Sequence, residues 1–188
     1  RDYLYVEKNG NGDVKLGERR HFQGRRISGC IITSTESGWV INRVKKRLRL
    51  GDIYEVELPN GKKAYGRLFK EYVLAFYKTR CHDVSELPDQ EDYEFYVGVY
   101  KDLLQDGVWR VVGNRRFAND DEAWAPPMVV VDALTNKGSL YHKGTITPCS
   151  YEECKDLEVV AAWDRQHVMD RLMGDEEVVK SIRRPRDC

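Results

Sequence analysis

At 188 residues, 41% apolar and 33% charged, the chain is long enough to close one well-cored domain and too apolar for a disordered polymer. No apolar run approaches the roughly 20 residues of a membrane span, and the leading RDYLYVEKNGNG holds no signal-peptide apolar core, so a cytoplasmic protein is expected. The net charge of zero conceals a segregation, +7 over residues 1–50, −8 over 51–175 and +1 over 176–188, which bears on partner choice and on-rate more than on fold.

Tyr3–Glu7 alternates weakly as a strand, and Asn9-Gly10-Asn11-Gly12-Asp13 is a hairpin signal. Gly17–Arg26 is polar and basic. Ile27–Thr35 and Trp39–Val44 read as strands around Glu36-Ser37-Gly38. Lys45–Arg49 (KKRLR) is a basic ramp, read as a solvated strand edge where lysines discourage edge-to-edge pairing. Gly51–Lys78 then predicts a three-stranded antiparallel meander. Ile53, Tyr54, Val56 and Leu58 are β-prone, Pro59-Asn60-Gly61-Lys62 is a turn, and Ala64–Phe69 resumes the pattern. Tyr72–Tyr77 supplies the third strand after Lys70-Glu71.

Cys81–Glu94 holds six acids (Asp83, Glu86, Asp89, Glu91, Asp92, Glu94) and no base, which predicts a surface loop with one helical turn near Val84–Leu87. Phe95–Tyr100 alternates as a strand, Asp106-Gly107 turns, and Val108–Val112 is a strand closed by Gly113-Asn114. Phe117–Pro127 is a second loop, with Asp120, Asp121 and Glu122 beside Trp124. The mostly apolar run Met128–Ala133, broken only by Asp132, predicts a central buried strand. Asn136-Lys137-Gly138 turns the chain into Ser139–Lys143.

Ser150, with Glu153 three residues on and Pro148 ahead, predicts a helix start with a capping box. Glu158–Trp163 reads as extended. Asp164 is placed to N-cap a helix over Arg165–Met173 that Gly174 stops, with Val168 and Leu172 on one face. The elements come to roughly nine strands and two short helices near the C-terminus, without βαβ alternation. The expected fold is therefore α+β and β-rich, an antiparallel meander or partly open barrel-like sheet. The expected organisation is an N-terminal β-hairpin extension (1–44), a main domain (45–175) and a tail (176–188).

Five cysteines, Cys30, Cys81, Cys149, Cys154 and Cys188, form no even-numbered framework and read as reduced thiols. Cys149-x4-Cys154 with His142 and His167 lacks the tight pairs of structural zinc, so no metal is expected. No Ser–His–Asp or phosphate-loop signature is present. His167 and Arg171, at i and i+4 beside Asp164, read as a hydrogen-bonded cluster holding helix to sheet rather than an acid–base set.

One ordered set of residues goes further. Gly51, Asp52, Ile53, Val56, Leu58, Pro59, Gly61, Tyr65, Gly66 and Arg67 are followed by Phe76-Tyr77. Gly107, Trp109, Val111, Val112 and Gly113 come next. Leu157, Glu158, Ala161, Ala162, Trp163, Asp164, His167, Val168, Asp170, Arg171 and Leu172 close the pattern. From about Lys45 to Leu172 this set resembles the immunity protein 26 family of bacterial polymorphic toxin systems. The resemblance implies a protein without catalysis or cofactor that binds and neutralises one cognate toxin domain, with a nuclease as one kind of target. It is silent on residues 1–44.

Acidic surface suits a basic partner, which makes Asp89, Glu91, Asp92, Asp120, Asp121 and Glu122 the expected partner-binding charges, with Tyr93 and Trp124 as aromatic anchors. The plainer alternative is two solvated acidic loops. A different class is a MazF-type RNase on an SH3-like barrel, which the opening Gly-Asp-Ile-Tyr-x-Val-x-Leu also resembles, or an RNA-binding module using Arg25-Arg26 and Arg43–Arg49. The RNase would need Arg67 and a later Ser or Thr, and no convincing partner follows Arg67.

Overall fold

The computed structural model describes residues 47–175, 177–178 and 185, together with four strands of the leading segment. Strand β1 (Leu4–Lys8) pairs antiparallel with β2 (Val14–Glu18), and β3 (Cys30–Thr35) with β4 (Gly38–Arg43). Both hairpins belong to a compact unit, Arg1–Lys45, separate from the unit Lys46–Cys188. The Asn9–Asp13 turn, residues 19–29 with the Arg25-Arg26 pair, Glu36-Ser37, Lys45 and most of the tail lie outside the described residues.

The second unit is built on the expected meander, β5 (Asp52–Glu57), β6 (Lys63–Leu68) and β7 (Val73–Tyr77). The β5–β6 turn closes with the Gly61 N–H donating to the Leu58 carbonyl (3.0 Å) and Gly61 at φ 79°. The β6–β7 turn is less usual. The Lys70 carbonyl accepts from the Val73 N–H, and both central residues have positive φ, Glu71 at 57° and Tyr72 at 60°. That matches the twist of a hairpin but is the geometry Asn-Gly normally fills. Side chains held there cost roughly 1–3 kcal/mol each.

Strand β8 (Tyr93–Val99) extends the meander beyond β7, and β9 (Arg110–Asn114) pairs with β5 on the opposite edge. A two-residue strand, β13 (Ala162–Trp163), lies parallel to β8, giving the order β13-β8-β7-β6-β5-β9. The sheet is mixed and does not close into a barrel. A Cβ on Gly98 would sit 2.8 Å from the Ala161 carbonyl oxygen, so only glycine admits β13 at this edge. A second, antiparallel sheet holds β10 (Met128–Val131), β11 (Gly138–His142) and β12 (Thr145–Pro148) in that order.

The two short helices near the C-terminus begin as their sequence requires. In α2 (Tyr151–Cys154) Ser150 and Glu153 form the capping box, and in α3 (Arg165–Leu172) the Asp164 Oδ1 accepts from the His167 N–H at 2.9 Å. Gly174 (φ 84°) stands just past the end of α3.

Four expectations need correction. Met128–Ala133 is not a central strand: β10 ends at Val131 and lies at the outer position of the small sheet, its other side taking only a parallel bridge from Val159. Its apolarity serves one end, where Met128 and Val129 are buried, while Val130 and Val131 are half-exposed. A third helix, α1 (Lys101–Gln105), was invisible because one and a half turns show no periodicity, although Leu103 and Leu104 are buried. Strand β9 begins at Arg110 rather than Val108, which is exposed, and runs through Gly113-Asn114 because these pair with Asp52 and Ile53. Strand β12 is exposed along its whole length and has no apolar alternation to betray it.

Alternation along the meander puts a core on each face. Tyr54, Val56, Leu68, Leu74, Phe76 and Val97 face Leu103, Leu104, Trp109, Val168 and Leu172. Each such side chain removed from water contributes roughly 1.5–3 kcal/mol. On the opposite face Ile53, Tyr65 and Tyr77 are covered by Cys81 and Leu87, and Phe69, Val73 and Ala75 by Met128. The candidate site described below lies on this second face.

Two stability contrasts follow. A Cβ on Gly51 (φ 83°) would stand 2.2 Å from the Arg115 carbonyl oxygen, whereas on Gly61 it would meet nothing within 4 Å. Chemical denaturation should therefore show Gly51→Ala costing on the order of 3 kcal/mol and Gly61→Ala about 1 kcal/mol. The Tyr54 hydroxyl is buried without a hydrogen-bond partner. Tyr54→Phe should be neutral or stabilising by up to about 1 kcal/mol, and a clear loss of stability would contradict this description of the core.

Candidate functional site

The second face is organised by Arg67, which β6 carries into the interior with only 6% of its surface exposed. Its Nε and one terminal nitrogen donate to the Arg115 carbonyl at 3.1 and 2.8 Å, and the other terminal nitrogen donates to the Tyr93 hydroxyl at 3.1 Å. That same nitrogen lies 3.1 Å from Glu91 Oε2, and the guanidinium sits 3.8 Å over the Phe117 ring. One side chain thus ties together β6, the acidic segment before β8 and the loop after β9.

The Gly51-Asp52 pair supports the same loop. Gly51 donates its N–H to the Leu68 carbonyl (2.8 Å) and accepts from the Arg115 N–H (2.9 Å), while the Asn114 amide donates to Asp52 Oδ1 at 2.8 Å. Gly66 lets the Phe76 ring approach to 3.0 Å of where a Cβ would stand, on the opposite face from Arg67. The Gly-Asp and Gly-Arg positions are therefore structural.

The acidic segment is not a free solvated loop. Cys81 bridges to Lys63, and Leu87 is buried against Tyr65 and Tyr77, so residues 81–92 lie across the sheet. Asp83 and Glu86 form a capping box around a turn of 3₁₀ helix at Val84–Glu86. Asp92 pairs with Lys78 (2.7 Å) and Glu94 with Arg80 (2.5 Å).

Glu91 has the most partners, accepting from the Tyr77 hydroxyl (2.7 Å), the Tyr93 hydroxyl and the Arg115 guanidinium (3.1 Å) besides facing Arg67. Burial alone would raise its carboxyl, but the bonds from Tyr93 and Tyr77 and the charges of Arg67 and Arg115 outweigh it and hold the group below the usual carboxylate range. Burial, reinforced by Glu91, pushes the Tyr77 phenol up to about 12.

The second acidic loop is folded on itself and on lysines. Glu122 accepts from the Ala118 N–H and the Asn119 amide. Asp120 pairs with Lys70 and Asp121 with Lys143, both at 2.5 Å, and both carboxylates are at least 80% exposed. Lys70 Nζ also stands 4.6 Å over the Trp124 ring.

These loops meet in an open cleft of about 400 Å³. Glu91 and Tyr93 of the first acidic segment and Asp121, Glu122 and Trp124 of the second line it, together with Arg67, Phe69, Tyr96 and Phe117. His142 and Lys143 complete the wall. Five of the eight residues expected to meet a partner thus share one cleft. Asp89, Asp92 and Asp120 lie outside it, and Asp89 is exposed and, among the described residues, outside every ion pair.

Sequence reasoning missed Tyr77, Arg115 and Phe117 as parts of this arrangement. Their partners lie 14 to 50 residues away, so no local spacing marks them.

Other candidates are accounted for. Arg67, the residue an RNase would need, spends its donors on internal acceptors. Arg171 of α3 bonds Glu158 (3.1 and 2.5 Å) and lies 4.0 Å over Phe95, holding helix to sheet, while His167 Nδ1 faces its own cap, Asp164, at 3.2 Å. Cys81, Cys149 and Cys154 are free thiols, and among the described residues no group of three or more His, Cys, Asp or Glu is placed to hold a metal ion. No helix among the described residues is long and apolar enough to cross a membrane.

The depressed carboxyl of Glu91 gives the site a pH signature. Its contribution to stability is complete above the ordinary carboxylate pKa of about 4.3 and is lost as pH falls through the lower folded value. Glu91→Gln should therefore lower stability at pH 7 and flatten the acid limb of the stability profile below about pH 4.5. Arg67→Ala should cost about 3 kcal/mol at pH 7, since it takes both side-chain donors from the Arg115 carbonyl and one of the two arginines from Glu91. Urea denaturation across pH measures both.

No curated protein and no solved structure matches this chain. A family model does: that of Immunity protein 26, over residues 49–139. The matched stretch runs from just ahead of β5 into the start of β11 and includes both acidic loops, while the closing motif Leu157–Leu172 lies beyond it. Residues 49–139, which contain the Arg67-centred anchor and most of the cleft built around it, are similar to immunity protein 26, and that similarity supports an immunity function in general.

Proposed function

We propose that this protein neutralises a cognate bacterial toxin domain in the cytoplasm by binding it through the acidic, aromatic-lined cleft, without catalysis or cofactor. The observation that carries the reading is the convergence of the two acidic loops, both inside the matched family region, on one cleft. Its aromatic side chains offer the rigid surface that interface hot spots use, and its carboxylates favour a basic partner such as a nuclease.

The internal ion pairs fit this role. Asp120 and Asp121 are held by Lys70 and Lys143 at highly exposed positions. Surface pairs of this kind are worth roughly 0–1 kcal/mol, so basic groups of a partner displace the lysines at little cost. Glu91 and Tyr93 do different work: they are the walls that position the rest, and Glu91 keeps its bonds in the complex.

The test uses a candidate toxin domain sought in the reading frame adjacent to this gene. Asp121→Lys with Glu122→Lys should weaken protection and binding by at least about tenfold while thermal denaturation stays within a few degrees of wild type. Asp89→Lys and Asp92→Lys should add smaller, salt-sensitive effects on association. Unchanged protection with all four replaced removes the acidic cleft from the interface. Turnover of any substrate by the purified chain removes the binding role itself.

A further inference from the structure

Beside the acidic cleft, sharing Phe69 with it, lies a second cleft of about 410 Å³. Leu48, Leu50, Leu68 and Tyr72 make it apolar, with Arg47 and Lys101 among the polar residues that line it. Leu50 is 43% and Tyr72 39% exposed, so two large apolar side chains face solvent together. Its charge is opposite to that of the acidic cleft. Among the described residues neither Arg47 nor Lys101 forms an ion pair, and Lys101 Nζ rests 5.7 Å over the Tyr72 ring. The carboxylate of Glu71 already accepts from the Tyr141 hydroxyl at 2.5 Å.

The turn that presents Tyr72 supplies an independent observation. Glu71 and Tyr72 hold left-handed conformations at consecutive positions, where Asn-Gly would close the same hairpin with far less strain. Glu71 is explained by its bond to Tyr141. Among the described residues Tyr72 belongs to none of the three buried apolar clusters, and its ring lines the cleft with Lys101 Nζ over it. A bulky exposed ring kept in a strained turn beside an apolar cleft is the arrangement of a binding anchor.

We propose that the Glu71–Tyr72 turn and its cleft are a second docking surface, which receives an apolar side chain flanked by carboxylates from the same toxin partner. This rests on the reading that the protein binds a toxin, and it adds a specificity element to it. The acidic cleft selects basic groups and the Tyr72 cleft an acidic–apolar segment, so a partner must present both in register.

The experiment titrates a candidate toxin domain, sought in the reading frame adjacent to this gene, against the wild-type chain and against Tyr72→Gly, Leu50→Ser and Lys101→Glu. Tyr72→Gly should weaken binding about 30-fold with a melting temperature equal to or above that of wild type, because glycine accepts the backbone without strain. Lys101→Glu should weaken it about tenfold, and Tyr72→Phe should restore most of the affinity. Wild-type affinity in all three, with Asp121→Lys still weakening the complex, overturns this proposal and leaves the acidic cleft standing. Failure of the wild-type chain to bind removes both. Concentration-dependent dimerisation abolished by Tyr72→Gly assigns the cleft to a second copy and overturns the proposal as well. If Tyr72→Gly loses stability, the exposed substitutions Leu50→Ser and Lys101→Glu decide the outcome.

Discussion

One buried guanidinium holds the working face of this protein together. Arg67 enters the sheet interior from β6 and finds there the Arg115 carbonyl, the Tyr93 hydroxyl, the Glu91 carboxylate and the Phe117 ring. A buried cation is costly unless its donors are satisfied, so these acceptors must be present together for the chain to fold. Requiring them fixes two long connections that carry little apolar surface of their own. Without this anchor the segments around Glu91 and Phe117 would have few reasons to adopt one conformation. With it, five residues from two distant stretches become the walls of one cleft.

The same requirement explains the glycine and acid positions around it. Gly51 passes the Arg115 carbonyl too closely for any side chain, and Asp52 receives the amide of Asn114. Buried Glu55 repeats the logic at the other end of the face, accepting from Lys63, Tyr65 and Arg110. The Gly-Asp and Gly-Arg positions that mark the family region thus serve the support, while the residues facing solvent are drawn from the loops.

Much of the scaffold was legible in the sequence. The meander follows from β-prone alternation and the Pro59–Lys62 turn, and the caps at Ser150 and Asp164 are local hydrogen bonds written into four consecutive residues. What stayed hidden depends on contacts far along the chain. Met128–Ala133 reads as a central buried strand from apolarity alone, yet the strand ends at Val131 and only its first half is covered. Lys101–Gln105 is too short to show a period, and β13 joins β8 in parallel only because Gly98 leaves room. For the site, acidity marked the right loops but not the roles within them. Asp121 and Glu91 look alike in sequence, yet the first is exposed and loosely paired while the second is tied into the interior.

The central claim is that a rigid, Arg67-anchored face meets another protein. Hydrogen–deuterium exchange of the intact chain, free and with a candidate toxin domain sought in the reading frame adjacent to its gene, tests it most directly. The account predicts new protection over residues 89–93 and 117–127 and in the turn at 70–72, with α3 and β13 unchanged. Protection confined to the helical face, or no protection anywhere, would contradict it.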